Sequence, residues 1–293
     1  MEYNESLENI KLKYILTEEQ FEKMYEDCRY ITFHNCKKSL NPIGVFVGGQ
    51  TGAGKGGIDV FSAKEVLEKG EHIAVLDVDV YRALHPYTKE ILQKYPTMYS
   101  DITAQTTGKI LKRIIAEAIE NRYNFVFEGT LRNAEALETM KGMPKDFKKV
   151  VRVMATSNIE SLLTAFERNY EQIKLSGYGR FTNVETHNIT YNGVLETIKK
   201  IETSGENITI ELFKRGKDMV SPIKIFSSNE DSRLASEVLV DERRKDSEIF
   251  TNERKQRFEH LLETLIPRDE FEEKQKQKLK EELSKIFVNS INK

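Results

Sequence analysis

Residues Ile43 to Ile58 read IGVFVGGQTGAGKGGI, and the order of chemistries in this stretch decides the fold. An apolar run, Val45, Phe46 and Val47, leads into a glycine-rich loop and a lysine. Apolar residues at helical spacing follow at Val60, Phe61, Ala63, Val66 and Leu67. Gly49, Gly54 and Lys55 satisfy the spacing G-x-x-x-x-G-K, and Gly52 adds a joint between them. A chain that curls this tightly at the start of a helix aims its backbone N–H groups at one point, where an anion is held; glycine tolerates the dihedrals this requires. Gly49, Gln50, Thr51, Gly52, Ala53, Gly54, Lys55 and Gly56 are therefore the expected phosphate-binding residues, with Lys55 as the point charge. One position departs from the pattern: Gly56 stands where Ser or Thr would ligate magnesium. An ordinary glycine turn between strand and helix is the competing reading.

Working outward, Thr17-Glu18-Glu19-Gln20 is a capping box that opens a helix before the first strand. Further strands are expected at 72–76 (HIAVL), 123–127 (YNFVF), 150–155 (VVRVMA) and 208–213 (ITIELF), with long helices at 102–121 and 159–175. Polar residues sit where strands end: Asp77 and Asp79 after the second, Glu128, Thr130 and Arg132 after the third. Open α/β sheets bind ligands outside that edge, so an anion cradle, carboxylates for a hydroxyl and arginines for phosphate charge form a phosphoryl-transfer constellation. Capping of the next helix is the alternative role for Asp77 and Asp79. Without a hydroxyl at residue 56, magnesium would fall to ATP oxygens, water and these two carboxylates. Lys214 to Asp218 reads as a turn, and His85 and His187 as structural residues.

The expected fold is α/β: a P-loop NTPase or kinase-like parallel sheet with helices on both faces over residues 1–226. A charged helical C-terminal extension follows over 227–293, with apolar residues at Phe258, Leu261, Leu262, Leu265, Leu279, Leu283 and Phe287. That extension either lies against the core or forms a partner-binding arm. With 45 basic and 47 acidic residues the formal charge is -2, so no basic field exists for nucleic acid or an anionic membrane. Two cysteines without a disulfide framework, and an N-terminus without the basic and apolar regions of a signal peptide, point to the cytoplasm.

Four segments in order, GGQTGAGK, LDVDVYRALHP, FVFEGTLR and FERNYE, resemble the zeta toxin family of UDP-N-acetylglucosamine kinases. The similarity runs from Thr17 to Gly216. It implies transfer of the ATP γ-phosphoryl group, with Mg2+, to the 3'-hydroxyl of the amino sugar of UDP-N-acetylglucosamine, and a small helical antitoxin over the nucleotide site. By the same resemblance Lys55 holds the β- and γ-phosphates and Asp79 is the catalytic base. Glu128, Thr130 and Arg132 face the sugar nucleotide, while Arg168 and Arg180 clamp the transferring phosphate. Pairing of Arg168 with the neighbouring Glu167 or Glu171 on its own helix is the other reading. Lys112 stands where the family pattern has an acidic substrate contact. A kinase for another acceptor, and a nucleotide-binding chain that acts through a partner, complete the alternatives.

Overall fold

The computed structural model describes residues 6–177, 179–216, 221–249 and 252–291. Lys217 and Asp218 of the expected turn, Tyr178, and the side chains of Leu283 and Phe287 lie outside the described parts. Among the described residues six strands form one sheet: β1 (Ile43–Gly48), β2 (Ile73–Leu76), β3 (Asn124–Glu128), β4 (Lys148–Met154), β5 (Ile208–Arg215) and β6 (Pro222–Ser227). Their order is β2-β3-β1-β4-β5-β6; the first five are parallel, and β6 runs antiparallel to β5. The chain leaves β1 to one side for β2 and β3, then crosses to the other for β4 and β5. The crevice where strand order reverses therefore opens at the C-terminal end of β1, where the glycine loop begins.

Among the described residues twelve α-helices accompany the sheet. The first seven are α1 (Leu7–Lys13), α2 (Glu18–Phe33), α3 (Lys55–Leu67), α4 (Val78–Ala83), α5 (Thr88–Lys94), α6 (Tyr99–Glu120) and α7 (Glu135–Gly142). Then come α8 (Asn158–Ser176), α9 (Val184–Glu202), α10 (Ala235–Glu248), α11 (Asn252–Thr264) and α12 (Glu270–Ile291). The capping box opens α2 as its residues require: Gln20 N–H donates to Thr17 Oγ1 at 3.2 Å, and Thr17 N–H to Gln20 Oε1 at 3.0 Å.

Strand alternation separates two cores. Phe46, Phe125, Val151 and Val153 face Met24, Ile110, Ile114, Val194, Ile198 and Leu239 from α2, α6, α9 and α10. Val45, Val47, Val126 and Val150 face Ile58 and Phe61 of α3. The buried positions of α3 are Ile58, Ser62 and Val66; Val60 and Leu67, expected on that face, are exposed. Ser62 is tolerated there because Arg152 of β4 donates to its hydroxyl at 2.7 Å. Arg152 also pairs with Glu65 and, at 2.7 Å, with Glu211, tying α3 to the sheet.

The structure adds one strand and extends another. Pro222 opens the edge strand β6, a place where a missing N–H is harmless. Lys214 and Arg215, expected in a turn, continue β5. Beyond the sheet, Ala235, Val238 and Leu239 of α10 join the main core. Phe258 and Leu261 of α11, Leu265 after it and Leu279 of α12 pack on Ile159, Leu162, Leu163 and Phe166 of α8. Among the described residues no helix is long and apolar enough to cross a membrane.

Candidate active site

The loop after β1 takes its shape from three glycines with left-handed dihedrals: Gly49 (φ 149°), Gly52 (φ 77°) and Gly54 (φ 100°). Gly52 is also a point of contact, since a Cβ there would lie 2.0 Å from Ser161 O of α8. Gln50 is fully buried and donates Nε2 to Thr156 O and Ser161 Oγ, both at 3.0 Å. Thr156 Oγ1 donates to Ala53 O at 2.8 Å; Arg215 donates to the same oxygen at 3.1 Å and to Gly52 O. His187 supports the loop from behind, with Nε2 at 3.0 Å from Ser161 Oγ and its pKa pushed down to about 4 by burial. The carbonyls of Gly52 and Ala53 are thus satisfied on one side, Gly57 N–H donates to Gly54 O at 3.4 Å, and the amides of Lys55 and Gly56 that open α3 are left for a ligand.

Lys55 follows on the first turn of α3 with its side chain 10% exposed. Its Nζ donates to Gln50 O at 3.2 Å and lies 3.6 Å from Glu128 Oε1. Burial lowers the Lys55 pKa, and Glu128 opposes that shift. Asp59, one turn further along the same face, meets Glu128. Burial first, and then Glu128, raise its pKa to about 8, and its Oδ1 is buried without a hydrogen-bond partner. Position i+4 from Lys55 is the signal in sequence that could have placed Asp59 here.

Asp77 ends β2 and caps α4: its Oδ1 accepts from Asp79 N–H at 2.8 Å and from Val80 N–H at 3.4 Å. Asp79, on the first turn of α4, receives Arg82 Nη1 on Oδ1 and Arg180 Nη1 on Oδ2. Arg82 was missed from sequence; Thr103 of α6 holds its Nε at 3.0 Å. The segment carrying Arg180 is pressed onto α8, where a Cβ on Gly179 would meet Asn169 O at 2.3 Å, and Gln172 receives the Arg180 N–H at 2.8 Å.

Arg168 makes neither of the pairs that the alternative reading gives it on its own helix. Glu167 turns away to Arg257 of α11, at 2.9 and 2.6 Å, and the buried Nε and Nη2 of Arg168 have no partner. Burial lowers its pKa and Arg180 adds to the shift, with Asp79 and Glu128 acting against it. Arg168, Arg180 and Lys55 therefore converge on Asp79 and Glu128 around one crevice. Thr130 and Arg132 are exposed in the segment that follows β3, where the Arg132 backbone lies against Gly193 of α9. Between them Leu131 holds a left-handed φ of 49° while its side chain fills the space over Gly48, where a Cβ would come within 2.2 Å. Lys112 is exposed on α6, and among the described residues no three acidic, His or Cys side chains are grouped to hold a metal by themselves.

Comparison with known proteins agrees with this architecture. PezT of Streptococcus pneumoniae serotype 4 is 28% identical over 207 residues, covering 69% of this chain and 78% of PezT. Toxin zeta of Streptococcus pyogenes is 25% identical over 219 residues, 73% of each chain. A chain from the PezAT chromosomal toxin–antitoxin system of Streptococcus pneumoniae superposes with a TM-score of 0.70 at 22% identity, over 85% of this chain and 98% of that one. The AvrRxo1-ORF1:AvrRxo1-ORF2 structure with ATP gives 0.51 at 14% identity, over 77% and 71%. The fold is thus that of P-loop, kinase-like toxins. The sequence profile of the zeta toxin family spans residues 29–231, most of the 293 here, and the chain belongs to the zeta toxin family.

Proposed function

We propose that this protein transfers the γ-phosphoryl group of ATP to the 3'-hydroxyl of the amino sugar of UDP-N-acetylglucosamine. In this reading it is the cytoplasmic toxin of a toxin–antitoxin pair, silenced by a small helical antitoxin. The observation that carries the reaction class is the convergence of Lys55, Arg168 and Arg180 on Asp79 and Glu128 beside the glycine loop, with buried Arg168 nitrogens that lack a partner. A buried guanidinium without an acceptor is costly, and an anion supplied by substrate would relieve that cost.

In the reaction the loop amides and Lys55 hold the β- and γ-phosphates, Lys55 leaving Glu128 to do so. Arg180 moves from Asp79 to the transferring phosphate and joins Arg168 there, which frees a carboxylate oxygen. Asp79 then orients the acceptor hydroxyl and takes its proton as the hydroxyl oxygen bonds to phosphorus and the bridge to the β-phosphate breaks. Charge compensation and positioning carry most of the catalysis, because the transferring group is only loosely bonded in the transition state. Glu128, Thr130 and Arg132 are the proposed contacts of the sugar nucleotide.

The residues fit magnesium as an ion taken in with the nucleotide. Of the two expected ligands, Asp79 has its oxygens taken by Arg82 and by Arg180 or the acceptor hydroxyl, whereas Asp77, exposed and capping α4 through Oδ1 alone, would offer Oδ2; magnesium needs only one or two carboxylates beside phosphate and water. Bound there, it would neutralise charge between the β- and γ-phosphates. The test is incubation with ATP, magnesium and a panel of UDP-sugars, with products read by mass. Phosphorylated UDP-N-acetylglucosamine is expected. Product only from another acceptor refutes the substrate, and ATP binding without any product favours a partner-binding role, to which Gly56 lends weight.

A further inference from the structure

The carbonyl side of the glycine loop rests on a set of charges, buried at Glu160 and half-buried around it, that continues into the C-terminal helices. Besides its bonds to Gly52 O and Ala53 O, Arg215 donates Nη1 to Glu160 Oε1 at 3.2 Å and to Thr164 Oγ1 at 3.1 Å. Glu160 is 1% exposed, and two more guanidinium groups close on it from α11: Arg254 Nε at 2.6 Å and Arg257 Nη1 at 3.1 Å. Arg254 also holds Asp246 of α10 at 3.0 Å, and Asp246 accepts Ser157 N–H at the start of α8 at 2.8 Å. Arg257 also holds Glu167. Three guanidinium groups thus face three carboxylates, Glu160, Glu167 and Asp246, in one connected and balanced set. From α10 the buried Arg243 reaches Gln50 Oε1 at 3.4 Å and Tyr191 O at 2.9 Å.

Such a set is a poor source of net stability, because desolvating the charges costs about what their attraction returns. What it does supply is direction. Across a trans peptide the N–H points opposite to the C=O. Holding the carbonyls of Gly52 and Ala53 towards Arg215 therefore turns the amides of Ala53 and Gly54 to the opposite side of the loop, where Ala53 N–H closes the turn on Gln50 O at 3.1 Å. Arg243, Asp246, Arg254 and Arg257 all lie beyond residue 231, where the family profile ends.

We propose that Glu160, with Arg215, Arg254 and Arg257, is a positioning set through which α11 keeps the glycine loop in its anion-binding form, so that nucleotide affinity depends on the C-terminal helices. The inference rests on the reading that the loop holds ATP. Its test uses the full-length chain carrying Arg254→Met and Arg257→Met together. Three quantities are measured: ATP affinity by calorimetry with magnesium, amide hydrogen exchange of residues 49–56 without nucleotide, and the melting temperature. About tenfold weaker ATP binding and about tenfold faster loop exchange are expected, each equivalent to ~1.4 kcal/mol. Arg268→Ala, which breaks a pair with Glu272 on the C-terminal side of the same arm, should change neither.

A double variant that melts lower while binding ATP and exchanging its loop amides like wild type would show a merely structural cover and overturn the proposal. Should the double variant not fold, Arg257→Lys keeps the charge and loses the two-pronged contact. A smaller shift in the same direction supports the set, and wild-type affinity and exchange refute it. Absence of ATP binding by the wild-type chain would refute the nucleotide reading instead, and the positioning set would then stand or fall on loop exchange alone.

Discussion

Replacing Asp59 by Asn should make the protein more stable, and by more at pH 8 than at pH 5. Asp59 meets Glu128 in a partly closed site where Lys55 is the nearest countercharge, and burial followed by Glu128 raises its pKa from 3.8 to about 8. The folded chain therefore holds a proton there after the unfolded chain has released it. A carboxyl shifted upward contributes stability that is fully present below the unfolded value and is lost as pH rises through the folded one, so the window runs from about pH 4 to about pH 8. Between pH 5 and pH 8 the loss is at most ~4 kcal/mol, at ~1.4 kcal/mol for each unit. Because the site is partly open to water, about 2 kcal/mol is the expected effect. For a domain of this size that corresponds to roughly 4 to 8 °C in melting temperature. Thermal unfolding of both proteins without nucleotide at pH 5, 6.5 and 8 measures it. Wild type should lose ground to Asp59→Asn steadily as pH rises. Parallel curves for the two proteins would mean that Asp59 ionises normally, and the carboxylate pair beside Lys55 would have to be abandoned.

Lys55→Ala should weaken ATP binding and turnover together, since the charge serves ground state and transition state alike; wild-type turnover would remove the loop from the mechanism. Asp79→Asn should keep ATP binding and lose turnover by roughly 10² to 10⁴, the contribution of a positioned base. Asp77→Ala should cost about 1 kcal/mol of stability through the lost cap on α4 and raise the magnesium needed for half-maximal rate, with turnover kept at saturating magnesium, so the reverse pattern of effects would show that the two carboxylates have been assigned wrongly. At Gly56 a Cβ would meet nothing within 4 Å, so Gly56→Ser should fit, restore a magnesium ligand and lower the magnesium concentration for half-maximal rate. An unchanged midpoint in a titration at saturating ATP would mean that residue 56 does not face the metal.

What sequence alone determined here is what short-range physics demands. The glycines of the loop, the capping box at Thr17 and the apolar runs that became five parallel strands each answer to backbone geometry or burial within a few residues of themselves. Their neighbours in the chain are enough to identify them. Asp77 is a local case too, because capping of α4 involves only the next three residues. Tertiary structure decided the rest. It set the strand order that brings the end of β1 to the switch point, the edge strand β6, and the meeting of Arg180 with Asp79, 101 residues apart. It also placed Arg215, 162 residues from Ala53, behind the loop rather than in a turn, and freed Arg168 from its helical neighbours. Charges that meet across such distances follow no periodicity along the chain. Their partners are set by how helices and strands stack, and it is that stacking, not the residues' own neighbourhoods, that gathers these cations and carboxylates at one end of the sheet.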